Sequence, residues 1–338
     1  MRMFNELFFD EVRQVAEDKT VPWDMLRKKS ILITGSTGLI GTTIVYALDS
    51  ANIKYNLGLQ IIVIVRNETK ARIRFKKIKS PNMIQYIIGR VEECTDVMGD
   101  IDYIIHGASQ TASKEFVNHA VETIETAILG TRNMLNIARK KNVSGFAYLS
   151  SMEVYGYPEK GHSITEDEIG TFVPYDLRNS YPISKIMSEN MCFAFAAEYD
   201  VPTKIIRLAQ TYGPGFSDND SRIFAYIAKC IKDKQNIVLK TKGESERAYL
   251  FAKDASSAIL MVLLKGEKGN AYNAADESTY CSIAEMAEKI AKQNGLKVVY
   301  DVEDEAANGF PKPQYMKLDA GKLRALGWRP HAKSDNWY

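Results

Sequence analysis

The chain has few cysteines, no long apolar run and no excess of either charge. Its 4 cysteines among 338 residues have the spacing of neither a disulfide framework nor a metal site: Cys94, Cys192, Cys230 and Cys281. The 44 basic residues nearly balance the 42 acidic ones, so neither a nucleic acid nor a membrane is indicated as the main partner. No window approaches the apolar length that spans a bilayer, and charges from Arg2 through Lys19 interrupt any secretory signal. We therefore expect a cytoplasmic protein with reduced cysteines and no metal.

The apolar content is still sufficient for a substantial core. Hydrophobic residues make up 45% of the 338 residues, which is enough for one large α/β domain and a smaller lobe. Residues 1–29 carry apolar side chains at helical spacing, among them Phe8, Val12 and Val15. We expect an N-terminal helical extension packed on the outside of the main domain, with an oligomer contact as the alternative.

The most informative segment runs from Ser30 to Gly41. An apolar run ends in regularly spaced glycines and continues as a helical pattern, which predicts a strand, a tight turn and a helix. Such a turn lets the backbone approach a pyrophosphate, and the helix start offers free N–H groups to it. A glycine-rich turn that binds nothing is the alternative. The predicted cofactor-binding residues here are Gly35, Ser36, Thr37, Gly38, Leu39, Ile40 and Gly41.

A second motif points to hydride-transfer chemistry. Tyr181 and Lys185 are four residues apart, on one face of a predicted helix. We expect the lysine ammonium to lower the pKa of the phenol, so that Tyr181 acts as a base and Lys185 also holds the nicotinamide ribose. Ser151, at the carboxyl end of a predicted strand, would hydrogen-bond the reacting oxygen. This trio predicts proton transfer coupled to hydride transfer to a nicotinamide.

Together these motifs resemble the short-chain dehydrogenases/reductases. Over about residues 30–330 the chain looks like an extended member, of the NAD-dependent epimerase/dehydratase family, which acts on nucleotide sugars. The match includes the segment from Arg207 to Gly215, and Gly243 with Arg247. The resemblance implies an α/β fold: a doubly wound parallel (Rossmann) sheet with a smaller C-terminal α/β substrate lobe. It also implies a homodimer formed through the helix predicted at 118–141 and the helix of Tyr181.

We place the domain boundaries accordingly. Residues 30–212 are predicted to form the NAD(P)-binding domain. Residues 213–338 are predicted to form mostly the nucleotide-sugar lobe, interleaved with segments that return to the Rossmann domain at about 245–275. The polar segment 157–178 is expected to cover the active site as a loop, with a plain surface connection as the alternative.

The cofactor is expected to be a tightly bound NAD or NADP. The strand predicted at 60–65 ends in Arg66, where an acidic residue would select NAD and an arginine favours a 2′-phosphate. Arg90 stands where related enzymes usually carry an aspartate, which again favours NADP. Ala108 lies in a small-residue segment expected to contact the cofactor, whereas His106 just before it is interpreted as structural.

Three residues are predicted to bind the nucleotide-sugar substrate. Arg222 and Arg247 suit its pyrophosphate, because planar guanidinium groups pair well with phosphate oxygens. Surface ion pairs are the alternative for both arginines. The resemblance adds Ser109 as the third substrate contact.

The segment Ser151-Met152-Glu153 bears on the reaction itself. Related 4,6-dehydratases carry Asp-Glu after the hydroxyl residue, and Met152 has no proton to give, so loss of water is disfavoured. UDP-glucuronate decarboxylases and 4-epimerases are the preferred hypotheses, with Glu153 as an auxiliary acid/base. Glu153 could instead satisfy buried backbone donors. An NADPH-dependent reductase and a catalytically idle nucleotide-sensing scaffold are the competing hypotheses.

Overall fold

The computed structural model describes residues 6–110, 113–215, 222–302 and 313–331. The first residues of the predicted N-terminal extension, residues 216–221 near the start of the predicted lobe, and the end of that lobe lie outside these ranges. In the part of the chain that is described, no helix combines the length and the apolar character needed to cross a membrane.

The helices cover much of the chain. They are α1 (Glu6–Glu17), α2 (Leu39–Tyr55), α3 (Glu68–Arg74), α4 (Ser113–Asn118), α5 (Ala120–Lys141), α6 (Ser180–Tyr199), α7 (Ile223–Asp233), α8 (Ala252–Lys265), α9 (Ile283–Gln293) and α10 (Gly321–Ala325). Short 3-10 turns occur at Trp23–Leu26, Pro81–Met83, Met152–Tyr155 and Leu177–Asn179.

The strands belong to a large sheet and to smaller ones. They are β1 (Ser30–Thr34), β2 (Gln60–Val65), β3 (Ile84–Ile88), β4 (Tyr103–His106), β5 (Gly145–Ser151), β6 (Ser163–Ile164), β7 (Thr203–Leu208), β8 (Gln210–Tyr212), β9 (Ile237–Leu239), β10 (Glu246–Phe251), β11 (Asn270–Ala274), β12 (Asp276–Ser282), β13 (Val298–Tyr300) and β14 (Tyr315–Leu318).

The large sheet has the order β11-β7-β5-β4-β1-β2-β3, and all its neighbouring strands are parallel. Both of its faces are buried. Ile31 and Ile33 of β1 pack into the core that contains α2 and α8, and Leu32 between them packs into the core that contains α5 and α6. The predicted doubly wound sheet is therefore confirmed. Because the strand order reverses between β1 and β4, a crevice opens at the carboxyl ends of these strands.

A second sheet has the order β12-β10-β14-β6, and β8 also pairs with β10. Its strands come from distant parts of the sequence, and β6 comes from within the predicted Rossmann range. Of the segment 245–275, predicted to return to the Rossmann domain, α8 and β11 pack with the large sheet, whereas β10 lies in the second sheet. The domain boundaries themselves stay predictions.

The N-terminal helix α1 packs on the outside of the large sheet's helical layer. Phe8, Val12 and Val15 are buried, and helix α1 contacts α2 and α8. Lys253 of α8 pairs with Glu11 at 3.2 Å. The spacing of the apolar side chains thus correctly predicted an amphipathic helix that is docked on the domain.

The helix predicted from Asn118 to Lys141 differs from the observed one. Asn118 ends α4, and α5 starts only after His119. Its first turns are exposed on one face, since Val121 is 65% exposed and Ile124 44% exposed, whereas Thr123 is buried. Gly130 permits close packing within the chain, because a Cβ there would lie 2.7 Å from a methyl group of Val91.

Gly41 provides a test of the packing between β1 and α2. A Cβ at this position would lie 2.4 Å from the carbonyl oxygen of Gly35, a distance that backbone atoms cannot accommodate without moving. We expect Gly41→Ala to lower the unfolding free energy by about 1–3 kcal/mol, measured by urea denaturation. The control is Gly89→Ala, because no neighbouring atom lies within 4 Å of a Cβ at that position. Equal stabilities of the two variants would contradict this packing.

Candidate active site

A cleft of about 2090 Å³ opens at the carboxyl ends of β1, β4 and β5. The predicted site residues that line it are Gly35, Thr37, Gly38, Leu39, Ile40, Gly41, Arg66, Ala108, Ser109, Ser151, Glu153, Tyr181, Lys185, Arg222 and Arg247. Ser36 is the exception, because it is fully buried behind the turn. The cleft thus brings together residues that are far apart in sequence. No group of three or more His, Cys, Asp or Glu within the described ranges could hold a metal ion.

The glycine turn forms one end of the cleft. Gly35 has φ +70°, and a Cβ there would lie 2.5 Å from the carbonyl oxygen of Gly107, so this position requires glycine. Gly38 caps the start of α2, and no side chain satisfies the first N–H groups of that helix. Uncapped N–H groups and the positive end of the helix dipole suit an anion. The turn therefore fits the pyrophosphate of a dinucleotide.

The next part of the cleft corrects the expectation for Arg90. The guanidinium of Arg90 is bonded to Glu92 at 2.7 Å and does not line the cleft, so it gives no support for NADP. Glu92 lines the cleft instead, and Thr126 of α5 donates a hydrogen bond to its carboxylate at 2.9 Å. Glu92 could not be identified from the sequence, because the family pattern points to the residue directly after Gly89. Arg66 does line the cleft.

The trio of Ser151, Tyr181 and Lys185 meets where β5 ends beside α6. The Nζ atom of Lys185 donates to the carbonyl oxygen of Leu149 at 2.7 Å and lies 5.7 Å from the centroid of the Tyr181 ring. The Ser151 hydroxyl accepts a hydrogen bond from the backbone N–H of Glu153 at 3.2 Å. These groups are arranged so that a substrate hydroxyl in the cleft can approach the phenol and the serine together.

The pKa values differ from the expectation for Tyr181. Burial raises the pKa of this phenol, and the charge of Glu153 raises it further; Ser151, Arg178 and Arg222 oppose the shift. Burial also lowers the pKa of Lys185 to about 8, against the opposing effect of Glu189. The prediction of a lowered pKa for Tyr181 was therefore wrong when only the side chains of the protein are considered. Desolvation of the buried phenol dominates and raises its pKa.

Glu153 faces the cleft as half of an ion pair. Its carboxylate oxygen lies 2.8 Å from an Nη atom of Arg178, and the two side chains are 20% and 21% exposed. The alternative that Glu153 satisfies buried backbone donors is not what the structure shows. Met152, by contrast, is 4% exposed and packs within the hydrophobic core.

An aromatic layer that the sequence analysis missed supports these groups. The Phe116 ring of α4 stacks on the Tyr181 ring, with 4.3 Å between centroids and 2° between planes. The guanidinium carbon of Arg178 lies 4.9 Å from the centroid of the Phe116 ring. The position of Arg178 just before the Tyr181 motif was the available signal, but nothing in the sequence connects Phe116 to it.

The predicted substrate-binding residues all line the cleft, in different settings. The Nε atom of Arg247 is buried without a hydrogen-bond partner in the described ranges, and an Nη atom lies 3.5 Å from the side-chain oxygen of Gln210. Such spare donors suit an anion better than a surface ion pair. Arg222 caps the start of α7. The Ser109 hydroxyl donates to the carbonyl oxygen of Gln110 at 3.1 Å.

Below the cleft lies a buried polar network. Arg207 of β7 pairs with Glu189 of α6 at 2.7 Å, and both side chains are at least 95% buried. Ser150 donates to the same carboxylate at 2.5 Å. Arg207 also donates to the hydroxyl of Tyr155 at 2.9 Å, and this hydroxyl donates to the side-chain oxygen of Asn273 at 2.6 Å. The network connects β5, α6, β7 and β11 directly beneath the trio.

Comparison with known proteins yields one family and several reactions. The sequence profile described as the NAD dependent epimerase/dehydratase family matches residues 31–275. UDP-glucuronic acid decarboxylase 6 of Arabidopsis thaliana is 28% identical over 308 residues, covering 90% of this chain and 84% of that protein. dTDP-glucose 4,6-dehydratase of Streptomyces niveus is 24% identical, covering 89% and 88%. The structure of UDP-glucose 4-epimerase from Thermotoga maritima with UDP-glucose has a TM-score of 0.76 and 21% identity, covering 90% of this chain and 95% of that one.

His106 provides a test that uses pH. Its ring nitrogens lie 2.7 Å from the Thr34 hydroxyl and 3.1 Å from the Thr131 hydroxyl, which supports the structural interpretation. Burial, with a smaller effect of Lys185, lowers its pKa from 6.5 to about 3. Between about pH 6.5 and pH 3 this histidine is protonated in the unfolded chain but neutral in the folded protein. The free energy of unfolding therefore decreases as the pH falls.

We expect the unfolding free energy of the unchanged protein to fall more steeply than that of His106→Asn from about pH 7 to about pH 4, measured by urea denaturation. The difference between the two slopes removes the contribution of the carboxylates. Equal slopes would mean that His106 is not held neutral.

Proposed function

Because the chain belongs to the NAD-dependent epimerase/dehydratase family, we propose that it transiently oxidises the C4 hydroxyl of a UDP-linked sugar to a ketone. The ketone is then decarboxylated or rotated in the site, and its reduction returns the hydride to C4. The chain is an enzyme, and its cofactor is a nicotinamide dinucleotide, as the family requires. Its relatives catalyse different reactions within this chemistry. The choice among them rests on the residues around the trio.

One observation carries the choice: Glu153 faces the cleft, and the residue directly before it, where related dehydratases carry an aspartate, is Met152. Loss of water needs a proton for the departing hydroxyl, and Met152 is a buried thioether that has none. Decarboxylation of a β-keto acid needs the C4 ketone and a proton for C5 once carbon dioxide has left, which Glu153 can supply, and epimerisation needs only rotation of the ketone in the site. The cleft therefore supports decarboxylation or epimerisation over 4,6-dehydration.

The chain's own groups have distinct roles in this proposal. Tyr181 accepts the proton of the C4 hydroxyl, Ser151 orients that oxygen, and Lys185 contributes positive charge beside the phenol. In decarboxylation, Glu153 transfers a proton to C5, the carbon next to C4. The bound nicotinamide supplies the hydride chemistry. Because burial raises the pKa of Tyr181, nearby positive charge is needed to ionise it.

Arg222 and Arg247 bind the substrate pyrophosphate in this proposal, and Ser109 contacts the sugar. The spare donors of Arg247 support this assignment. Arg66 is placed at the adenosine end of the cofactor, and its predicted preference for a 2′-phosphate stays a prediction. We further propose a cytoplasmic protein, since the four cysteines are free in the structure.

A homodimer is also part of the proposal. Helices α5 and α6 pack side by side and leave apolar side chains exposed. Val121 is 65%, Ile124 44%, Met187 53% and Phe193 39% exposed. Exposed apolar side chains on two neighbouring helices are costly in a monomer, and a second copy of the same surface would cover them.

We expect Met187→Glu to yield a monomer, because the new carboxylate would be buried without a partner at the interface. Light scattering after size exclusion measures the mass. The control is Ile73→Glu, which places the same charge at an equally exposed isoleucine (59%) on α3. A mass unaffected by Met187→Glu would contradict this interface.

We expect Tyr181→Phe to reduce turnover of UDP-glucuronate by about 10²–10⁴-fold, the range that a general base contributes. Mass spectrometry of the products measures turnover and identifies the reaction. Tyr175→Phe is the control, since Tyr175 precedes the same helix and is 94% exposed. Loss of carbon dioxide, or an isomer of unchanged mass, supports the proposal. Loss of water from UDP-glucose would contradict it.

A further inference from the structure

We propose that Arg178 binds the carboxylate of a hexuronate substrate and bridges it to Glu153. The inference deepens the proposed function and rests on it. The proposal assigns the substrate class, a nucleotide-linked uronic acid, to one side chain that the sequence analysis did not single out. It rests on the contacts of Arg178 and on its place in the cleft.

The guanidinium of Arg178 is only partly used by the protein. Its hydrogen bond to Glu153 at 2.8 Å is the one side-chain hydrogen bond it makes within the described ranges. A guanidinium carries five N–H donors, and most of them are left over here. The side chain lines the cleft and is 21% exposed, so the remaining donors are within reach of a ligand. A carboxylate can accept two parallel hydrogen bonds from such an edge.

The orientation of Arg178 is fixed before a ligand arrives. Asp176 accepts a hydrogen bond from the backbone N–H of Arg178 at 2.9 Å and so holds the 3-10 turn that carries it. The Phe116 ring lies beneath the guanidinium and also stacks on Tyr181. A side chain held from two sides loses little conformational freedom on binding.

The position of Arg178 favours a sugar carboxylate over the pyrophosphate. Tyr181 marks the place of the C4 hydroxyl in the proposed function, and Arg178 is connected to Tyr181 through a single ring. In a hexuronate the carboxylate is attached to C5, directly beside C4, whereas the pyrophosphate is attached to C1 across the ring. The proposed function assigns Arg222 and Arg247 to the pyrophosphate, which leaves Arg178 for the carboxylate.

Charge makes this arginine necessary for an acidic sugar. A substrate carboxylate beside Glu153 would be repelled by that carboxylate, and a shared guanidinium removes the repulsion. A neutral hexose offers the remaining donors only uncharged hydroxyl oxygens, which accept weaker hydrogen bonds than a carboxylate does. The site should therefore bind a UDP-hexuronate more tightly than the corresponding UDP-hexose.

The test measures affinity without turnover. In the Tyr181→Phe protein loaded with cofactor, isothermal titration gives the Kd values of UDP-glucuronate and UDP-glucose. We expect UDP-glucuronate to bind at least about 10-fold more tightly, as for a charge-assisted pair. Adding Arg178→Gln should abolish this preference and leave the affinity for UDP-glucose within about 3-fold. Arg178→Lys should retain part of the preference, which excludes a simple folding defect.

Two controls separate the explanations. Arg222→Gln should weaken both ligands by a similar factor, because the pyrophosphate is common to both. Arg178→Gln combined with Glu153→Gln should stay without preference for the acid. A preference restored in that double variant would show that Arg178 only shields Glu153, which would overturn the proposal.

The outcomes also separate this inference from the proposed function. A preference for UDP-glucuronate that survives Arg178→Gln would overturn the role of Arg178 and leave the proposed function standing. Equal binding of the two ligands before that change would overturn the substrate class. Binding of neither ligand, with cofactor bound, would contradict the proposed function itself.

Discussion

The buried ion pair between Arg207 and Glu189 is the interaction on which the geometry of the active site depends. A buried charge that loses its partner costs about 3–5 kcal/mol, so the two side chains hold β7 and α6 in a fixed relation. Glu189 lies one helical turn after Lys185 and also accepts the hydroxyl of Ser150, the neighbour of Ser151. The buried network therefore fixes the positions of Lys185 and Ser151.

The same network extends to the loop 157–178, several residues of which line the cleft. Arg207 donates to the carbonyl oxygen of Glu166 at 2.8 Å, and the carboxylate of Glu166 accepts the backbone N–H of Asn273 at 2.7 Å. The loop is thus tied to β11 near its middle. Its far end carries Arg178 and leads into the helix of Tyr181. The loop can therefore present charged side chains such as Arg178 to a ligand in the cleft.

The charges in the cleft determine both the pKa of Tyr181 and the kind of substrate that the site suits. Burial raises the pKa of Tyr181, and Glu153 adds to this effect, so the phenol by itself resists ionisation. Arg178 and Arg222 oppose the shift and line the same cleft. A site with a buried base and several guanidinium groups suits an anionic substrate better than a neutral one. Specificity and activation of the base then depend on the same side chains.

The fold could be predicted from local patterns, and β2 matches its predicted limits because an uninterrupted β-branched run can only be a buried parallel strand here. The contributions of Phe116 and Glu92 could not be predicted from the sequence, because each depends on a contact with a residue distant along the chain. Arg90 shows the same limit. Its residue type suggested a role at the cofactor, and only the direction of its side chain, toward Glu92, excludes it.

Transient oxidation at C4 is the central claim, and a substrate that carries deuterium at that carbon tests it most directly. The measurement compares turnover of C4-deuterated and ordinary UDP-glucuronate, follows the absorbance of reduced nicotinamide during a single turnover, and locates the deuterium in the product by NMR. The account predicts slower turnover of the labelled substrate, a transient reduced cofactor, a product that carries the deuterium at C4 and no net reduction of the cofactor. Product formed at equal rates from both substrates, with no reduced nicotinamide at any time, would contradict it.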